Sequence, residues 1–428
     1  MKSIWNNTGK VKFETLEESI KTDVLIIGGG ICGVLCAYML KKAGVDCVLV
    51  EADEICGGVT NSTTAKVTIQ HGLIYDKIIK KYGVEKAYLY YESQKSAFEK
   101  IKKLATDNFE ICSSFVYSLN NREVIEKEIS ALEKIGAKAH FSQKTELPFD
   151  IAGAVKMENQ AKFHPLKFAY GIAKDIRIYE KTKIVELKNN VAVTNNGTVK
   201  AEKIIVATHF PFINKHGGYF LKMYQHRSYV IALKNAVNMK DMYVDEEKDG
   251  LSFRNYGDLL LLGGGSHRTG GKGGNWAELE RVSKKYYPNS EEIERWATQD
   301  CMPLDGIPYI GRYSKSTNDL YVATGFNKWG MTSSMVSAMI LSDMVCGRKN
   351  KYEDVYCPSR TMLHPQLAVN MFESVKGLIT PTVPRCPHLG CALKYNKAEH
   401  SWDCPCHGSR FDENGKLINN PATDDKNP

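Results

Sequence analysis

The first apolar run begins after a polar entry at Lys21 and reads Val24-Leu25-Ile26-Ile27, which predicts a buried strand over Lys21–Ile27. Gly28-Gly29-Gly30 interrupts it. Apolar residues at helical spacing then run from Ile31 to Lys42, and Val45–Val50 forms a second apolar strand ending at Glu51. The first 51 residues therefore contain one strand–helix–strand unit with short connections. Val24–Leu40 is a run of 17 residues without a charge, but it holds four glycines and falls short of the ~20 apolar residues of a membrane helix. It reads as buried strand, turn and buried helix.

Further along, Lys, Glu, Ala and Leu recur with helical periodicity from Tyr75 to about Leu147, predicting a helical excursion. Lys183–Leu187, Val191–Thr194 and Lys203–Val206, with a turn at Asn195-Asn196-Gly197, predict a small antiparallel set. Strand-like runs recur from Tyr219 to Leu262 and end in Leu259–Leu262 before Gly263-Gly264-Gly265. Ser283–Thr298 reads as a helix, Leu320–Thr324 as a buried strand and Met331–Cys346 as a long apolar helix. The charged stretch Arg348–Tyr356 marks a boundary. From about Thr380 the chain is short and rich in Cys, Pro, His and Gly.

Composition narrows the class. At 428 residues, 43% hydrophobic and 25% charged, the chain is an ordinary globular protein of about three domains, not a disordered, collagenous or disulfide-scaffold sequence. Residues 1–20 carry no apolar secretory core, so the expected location is the cytoplasm, with mostly reduced cysteines. The net charge of +8 suits anionic ligands but does not choose among them. Between 381 and 428 there are six basic and six acidic residues, so the excess belongs to the part before the tail.

Gly28-Gly29-Gly30-Ile31-Cys32-Gly33 fits G-x-G-x-x-G between a strand and a helix. Gly28 permits the tight turn, Gly30 the approach of a pyrophosphate and Gly33 close helix–strand packing. The helix start offers free N–H groups, and Glu51, 18 residues past Gly33, is placed to accept from ribose hydroxyls. The segment Gly57-Gly58-Val59-Thr60-Asn61-Ser62-Thr63-Thr64-Ala65-Lys66 resembles the one that crosses the flavin in the D-amino-acid oxidase/glycine oxidase superfamily of FAD enzymes. Val206-Ala207-Thr208, Gly263–His267, Pro308–Gly311 and Tyr321–Thr332 are similar to later motifs of that family, in the same order. The resemblance spans about residues 20–346.

It implies an α/β fold: a Rossmann-like FAD-binding domain (20–75, 155–215, 300–348) interleaved with a mixed α+β substrate domain (76–154, 216–299). It also implies cofactor contacts at Gly28, Gly30, Ile31, Cys32, Gly33, Glu51, Ala52, Gly58, Val59, Thr60, Ala65, Lys66, Ala207, Thr208, Gly325, Gly330, Met331 and Thr332. The helix beginning near Met331 would present its N-terminal amides to the reduced flavin; the bland alternative is a helix start capped by Thr and Ser. Lys66 stands where some relatives bind flavin covalently through histidine, so FAD is expected to be non-covalent. Lys66, His164, Arg227 and Tyr229 are the candidate catalytic residues, and His209 and His226 are further candidates for facing the substrate. Cys32, Cys36, Cys47 and Cys56 read as small buried residues.

In the tail, Cys386-Pro387-His388 is followed by Cys404-Pro405-Cys406-His407, a C-x-H…C-x-x-H pattern. Two thiolates on one iron and two imidazoles on the other hold a [2Fe–2S] cluster. Metal-free and zinc readings compete, although zinc fingers usually keep their cysteines together and their histidines together. With Leu389-Gly390-Cys391 and Gly408-Ser409 alongside, residues 381–428 resemble a Rieske domain of the cytochrome bc type, joined by a connector at 349–380. The resemblance implies the ligands Cys386, His388, Cys404 and His407, and a disulfide between Cys391 and Cys406. It departs from the pattern in three ways. Few strands precede the first loop; Phe411 replaces a tyrosine that would donate to a cysteine sulfur, leaving Ser409 as donor; and Asn420-Pro421-Ala422 carries Asn in place of Gly, where Asn tolerates positive φ.

The reading is a dehydrogenase in which FAD oxidises a C–N bond of an amine or amino acid and a Rieske [2Fe–2S] cluster passes electrons to a protein or quinone acceptor. The alternatives are the reverse flow, with the cluster as entry port, an electron-transfer flavoprotein without a substrate of its own, and a tRNA-modifying flavoenzyme. No arginine-rich or aromatic-interleaved strip points to nucleic acid.

Overall fold

The computed structural model describes residues 3–105, 109–214, 216–381 and 384–426. The predicted strand–helix–strand unit is present as Ile20–Ile27, Ile31–Lys42 and Cys47–Val50. These strands join an eight-stranded sheet. In it, Leu320–Thr324, Thr198–Val206, Ile20–Ile27, Cys47–Val50 and Ile178–Tyr179 run parallel side by side, with Tyr309–Arg312 antiparallel at one edge. Val24–Ile27 and Cys47–Val50 are buried throughout, as expected for strands covered on both faces. Helix Ile31–Lys42 packs against the late helix Gly330–Val345, so the beginning and end of the flavoprotein part share one core.

A nine-stranded sheet lies beside it, ordered Glu291–Pro303, Met223–Lys234, Leu259–Arg268, Ser252–Tyr256, Met242–Asp245, Phe109–Ser118, Gly153–Phe163 and Lys66–Val67, with His140–Ser142 paired to Gly153–Phe163. Three expectations change here. The helical excursion contains helices Tyr75–Tyr82, Val84–Leu104 and Arg122–Lys134, but Phe109–Ser118 is a strand between Gly153–Phe163 and Met242–Asp245. The helix expected over Ser283–Thr298 is instead Asn275–Tyr286, and Glu291–Pro303 is a strand paired along its length with Met223–Lys234. Pro288 follows the helix end, and the distant partner then decides the strand. Gly153–Phe163 also belongs to this second sheet, not with the FAD-binding strands as the range 155–215 implied.

The connector forms helices Glu353–Tyr356 and Pro365–Ile379. The latter is turned inside out, with Asn370 and Gly377 buried while Phe372, Val375 and Ile379 are exposed. The tail is a four-stranded antiparallel sheet, Lys394–Asn396, Ser401–Asp403, Arg410–Asp412 and Leu417–Asn419, around a small core of Cys386, Cys391, Leu393, Cys404, Cys406, Phe411 and Ala422. Among the described residues no helix is long and apolar enough to cross a membrane.

Candidate cofactor sites and the wall between them

The glycine turn has the geometry its spacing implies. Gly28 has φ +109°, and a Cβ there would meet Ala207 O at 2.7 Å. A Cβ on Gly33 would run into Gly28 O. A Cβ on Gly30 would find only Thr60 Oγ1, at 3.6 Å, so its outer side is open to a ligand. Gly30 is the N-cap of the following helix and supplies no side-chain cap; Ile31 N–H donates to Thr60 Oγ1 at 3.1 Å, and the amides of Cys32 and Gly33 receive no side-chain cap. Glu51 turns back to the turn, accepting from Gly29 N–H at 2.7 Å and Asp53 N–H at 2.9 Å. Burial raises its carboxyl, and these amides oppose that. Ala52 follows it, and Ala207 N–H closes the adjacent strand on Ile27 O at 2.8 Å, with Thr208 next in line. This cradle fits a dinucleotide.

A cavity of about 600 Å³ opens beyond it. It brings together Val59, Lys66, Gly330 and Met331 from the expected flavin contacts, while Gly58, Thr60, Ala65, Gly325 and Thr332 flank these positions in the chain. Helix Gly330–Val345 starts without a side-chain cap. Thr332 does not cap it: its hydroxyl donates to Thr68 O at 3.1 Å and meets His71 Nε2 at 3.0 Å. The amides at this helix start are therefore open toward the cavity, as the flavin reading requires. Lys66 Nζ lies 3.1 Å from Thr64 Oγ1, and burial, helped by Arg254, lowers it to about 7.

Sequence reasoning missed His71, Trp329, Asp300 and Lys328, which also line this cavity. His71 stacks on Trp329 with ring centres 5.2 Å apart and bonds Tyr90 Oη at 2.6 Å; burial lowers it to about 3, so it is neutral. Lys328 and Trp329 lay within a motif that had been singled out, whereas Asp300 lies on the strand Glu291–Pro303, just beyond the helix expected over Ser283–Thr298.

Other candidates have different roles. His164 caps helix Pro165–Ala173, accepting from Lys167 N–H at 3.3 Å, and packs on Trp5. His226 pairs with Asp249 at 3.1 Å, and His209 is half-buried and does not line the cavity. Arg227 faces the tail, in a buried ion pair with Glu399. Tyr229 edges the cavity, but its hydroxyl donates to Glu399 at 3.0 Å. Cys32, Cys36, Cys47 and Cys56 are buried thiols, as expected.

In the tail, two loops carry the four expected ligands and are closed in the same way. Cys386 N–H donates to Cys391 O and Gly390 N–H to Cys386 O; Cys404 N–H donates to Ser409 O and Gly408 N–H to Cys404 O, all at 2.8–2.9 Å. Cys386 and Cys404 are buried in the same small core, and the His388 and His407 rings lie 4.9 Å apart. The ligands thus form a thiol pair and an imidazole pair, as a binuclear centre needs. Three ring nitrogens, His388 Nδ1 and both of His407, are buried without a partner, which fits ligation. Ser409 is buried beside the cluster loops, where its hydroxyl accepts from Ala422 N–H at 3.0 Å, while Phe411 is fully buried and donates nothing.

The sulfurs of Cys391 and Cys406, the pair expected to form a disulfide, lie together with that of Cys404 within 4.8 Å of one another. Asn420 does not take positive φ. Its side chain reaches across to Thr208 O at 2.8 Å and Phe210 O at 2.9 Å.

The tail is bonded directly to the flavoprotein part. Along Met223–Lys234 and Glu291–Pro303 successive side chains alternate between two faces. Tyr224, Ser228, Thr298, Asp300 and Met302 line the cavity. Gln225, Arg227 and Gln299 point to the tail, where Gln225 donates to His407 O at 2.9 Å and Gln299 to Gly408 O at 2.8 Å. Arg268 adds bonds to Pro405 O and Cys406 O at 3.2 and 3.3 Å. The cavity and the cluster loops therefore sit on opposite faces of one sheet.

Comparison with known proteins agrees with both sites. Residues 23–344 match the family of FAD dependent oxidoreductases and residues 348–427 the Rieske [2Fe-2S] domain. The chain is 34% identical, over 97% of its length and 95% of the relative's, to YhfW of Bacillus subtilis (strain 168), a protein named for a Rieske 2Fe-2S centre. It is 24% identical to the gamma-glutamylputrescine oxidoreductase of Escherichia coli (strain K12), over 80% of this chain and 87% of that one. Its fold is similar to the crystal structure of glycine oxidase from Geobacillus kaustophilus (TM-score 0.67, 18% identity, 80% of this chain and 99% of that one).

Proposed function

Given that the chain belongs to the FAD-dependent oxidoreductase family and carries a Rieske [2Fe-2S] domain, we propose that it is a dehydrogenase that oxidises a C–N bond of an amine or amino acid and delivers the electrons through the tail to an external one-electron acceptor. When bound, FAD supplies a two-electron acceptor that can release electrons singly, and the cluster a one-electron carrier. The amine becomes an imine, losing two electrons and two protons, and two equivalents of acceptor are reduced. Oxygen is not required.

Gly28, Gly30, Ile31, Cys32, Gly33 and Glu51 would hold the dinucleotide, and Cys386, His388, Cys404 and His407 the cluster. Lys66, lowered to about 7, is able to take up a proton at the cavity wall. The observation that carries this reading is the shared sheet: the cavity on one face and the cluster loops on the other. Kinship with a gamma-glutamylputrescine oxidoreductase supports a C–N substrate. The proposed setting is the reducing cytoplasm, and Cys391 with Cys406 is the pair proposed to form a disulfide.

The test is an anaerobic screen of amines and amino acids on the holoprotein, reading flavin absorbance and then the Rieske electron paramagnetic resonance (EPR) signal. The expected result is a substrate that bleaches the flavin and reduces the cluster, whereas Cys404→Ser keeps the bleaching and loses the signal. If no amine or amino acid bleaches the flavin while a reduced ferredoxin does, electrons run the other way and the proposal fails.

A further inference from the structure

The cluster loops of the tail are turned toward the flavoprotein part. His388 Nε2 lies 3.1 Å from Asn214 Oδ1, while its Nδ1 is buried without a partner. An amide oxygen only accepts, so this contact places the ring proton on Nε2 and leaves the Nδ1 lone pair free for iron. The His407 ring stands edge-on to Phe220, with ring centres 5.9 Å apart, and Gln225 holds its carbonyl at 2.9 Å. The two imidazoles therefore contact Asn214 and Phe220, which lie outside the tail altogether.

We propose that Asn214 is a positioning residue for the cluster. It acts through His388 as the outer hydrogen-bond acceptor that sets the ring's tautomer and angle, and it thereby tunes the cluster's reduction potential from the flavoprotein part. An acceptor on the far nitrogen of a metal-bound imidazole raises the ligand's basicity. A more basic ligand favours the oxidised cluster, so Asn214 holds the potential down. Glycine turns and cysteine loops are recognisable within one stretch of sequence; this contact joins residues 174 positions apart.

Asn214 is exposed, so its replacement disturbs no core. Asn214→Leu removes the acceptor, and Asn214→Asp substitutes a charged, stronger one. Each variant is compared with the wild-type holoprotein by dye-mediated redox titration at one pH, read by EPR of the cluster. The expected result is a midpoint potential shifted up in Asn214→Leu and down in Asn214→Asp, with altered g-values in both and an unchanged FAD absorbance spectrum. A role in packing alone would not move the two variants in opposite directions. Potentials that stay at the wild-type value, or that move the same way in both variants, overturn the proposal. Asn214→Asp retains an acceptor, so at least one arm keeps its cluster. The titration uses no substrate, so its outcome is independent of whether an amine reduces the flavin.

Discussion

Glu399 is the tail's main charged contact with the flavoprotein part. It accepts from Arg227 Nε at 2.8 Å and also from Arg227 Nη2, from Arg410 Nη2 at 2.9 Å, and from Tyr229 Oη at 3.0 Å. The Arg227 and Glu399 side chains are 6% and 4% exposed. Glu399→Gln leaves the Arg227 charge buried without its carboxylate, whereas Arg410 keeps Asp403 at 2.9 Å. Removing one partner of a buried pair costs ~3–5 kcal/mol. A second route gives a similar figure: burial alone would raise the Glu399 carboxyl, but Arg227 and Arg410 outweigh it and hold it at about 2, against an ordinary 4.5. That gap corresponds to about 3 kcal/mol. Because the folded value lies below the unfolded one, this stabilisation is complete above about pH 4.5 and is lost as pH falls toward 2. The assay is denaturant unfolding of the holoprotein, following the cluster by visible circular dichroism and the body by FAD fluorescence. The cluster transition of Glu399→Gln should be destabilised by about 3 kcal/mol at pH 7, with the wild type losing its advantage as the pH is lowered through 4.5. The double variant Arg227→Met/Glu399→Leu, which replaces the pair with apolar residues, should recover most of the loss. A cost below about 1 kcal/mol for Glu399→Gln at pH 7 would refute the assignment of a buried, uncompensated charge.

Three other outcomes follow. Gly33→Ala drives a methyl group into Gly28 O; the purified variant should contain little FAD by absorbance yet keep its Rieske EPR signal. Lys66 is protonated below about pH 7 and neutral above it. Flavin reduction measured by stopped flow should therefore quicken as pH rises through 7 and lose that inflection in Lys66→Met, while an inflection that persists in the variant would assign it elsewhere. Phe411 is fully buried in the cluster core and offers no donor; Phe411→Tyr should raise the cluster's potential in a redox titration, and an unchanged or lower value would show that the donor does not reach a sulfur.

What could be read from the sequence shares one property: it is local. The glycine turn, the strands either side of it and Glu51 lie within about thirty residues, and each depends on short-range sterics and hydrogen bonding. The two cluster loops are equally local, since each closes on itself within six residues. The strands Phe109–Ser118 and Glu291–Pro303 were missed because their partners lie far away in the chain, and a half-polar strand with a distant partner has no spacing of its own to announce it. The same limit hid Asp300 and let Arg227 pass for a substrate residue, although it faces the tail. The residues alone determined that this chain holds a dinucleotide turn and a cluster motif. Only the tertiary structure decided that both lie against one sheet, because strand alternation sends neighbouring side chains to opposite faces and pairing across long loops determines which face meets the cavity and which meets the cluster.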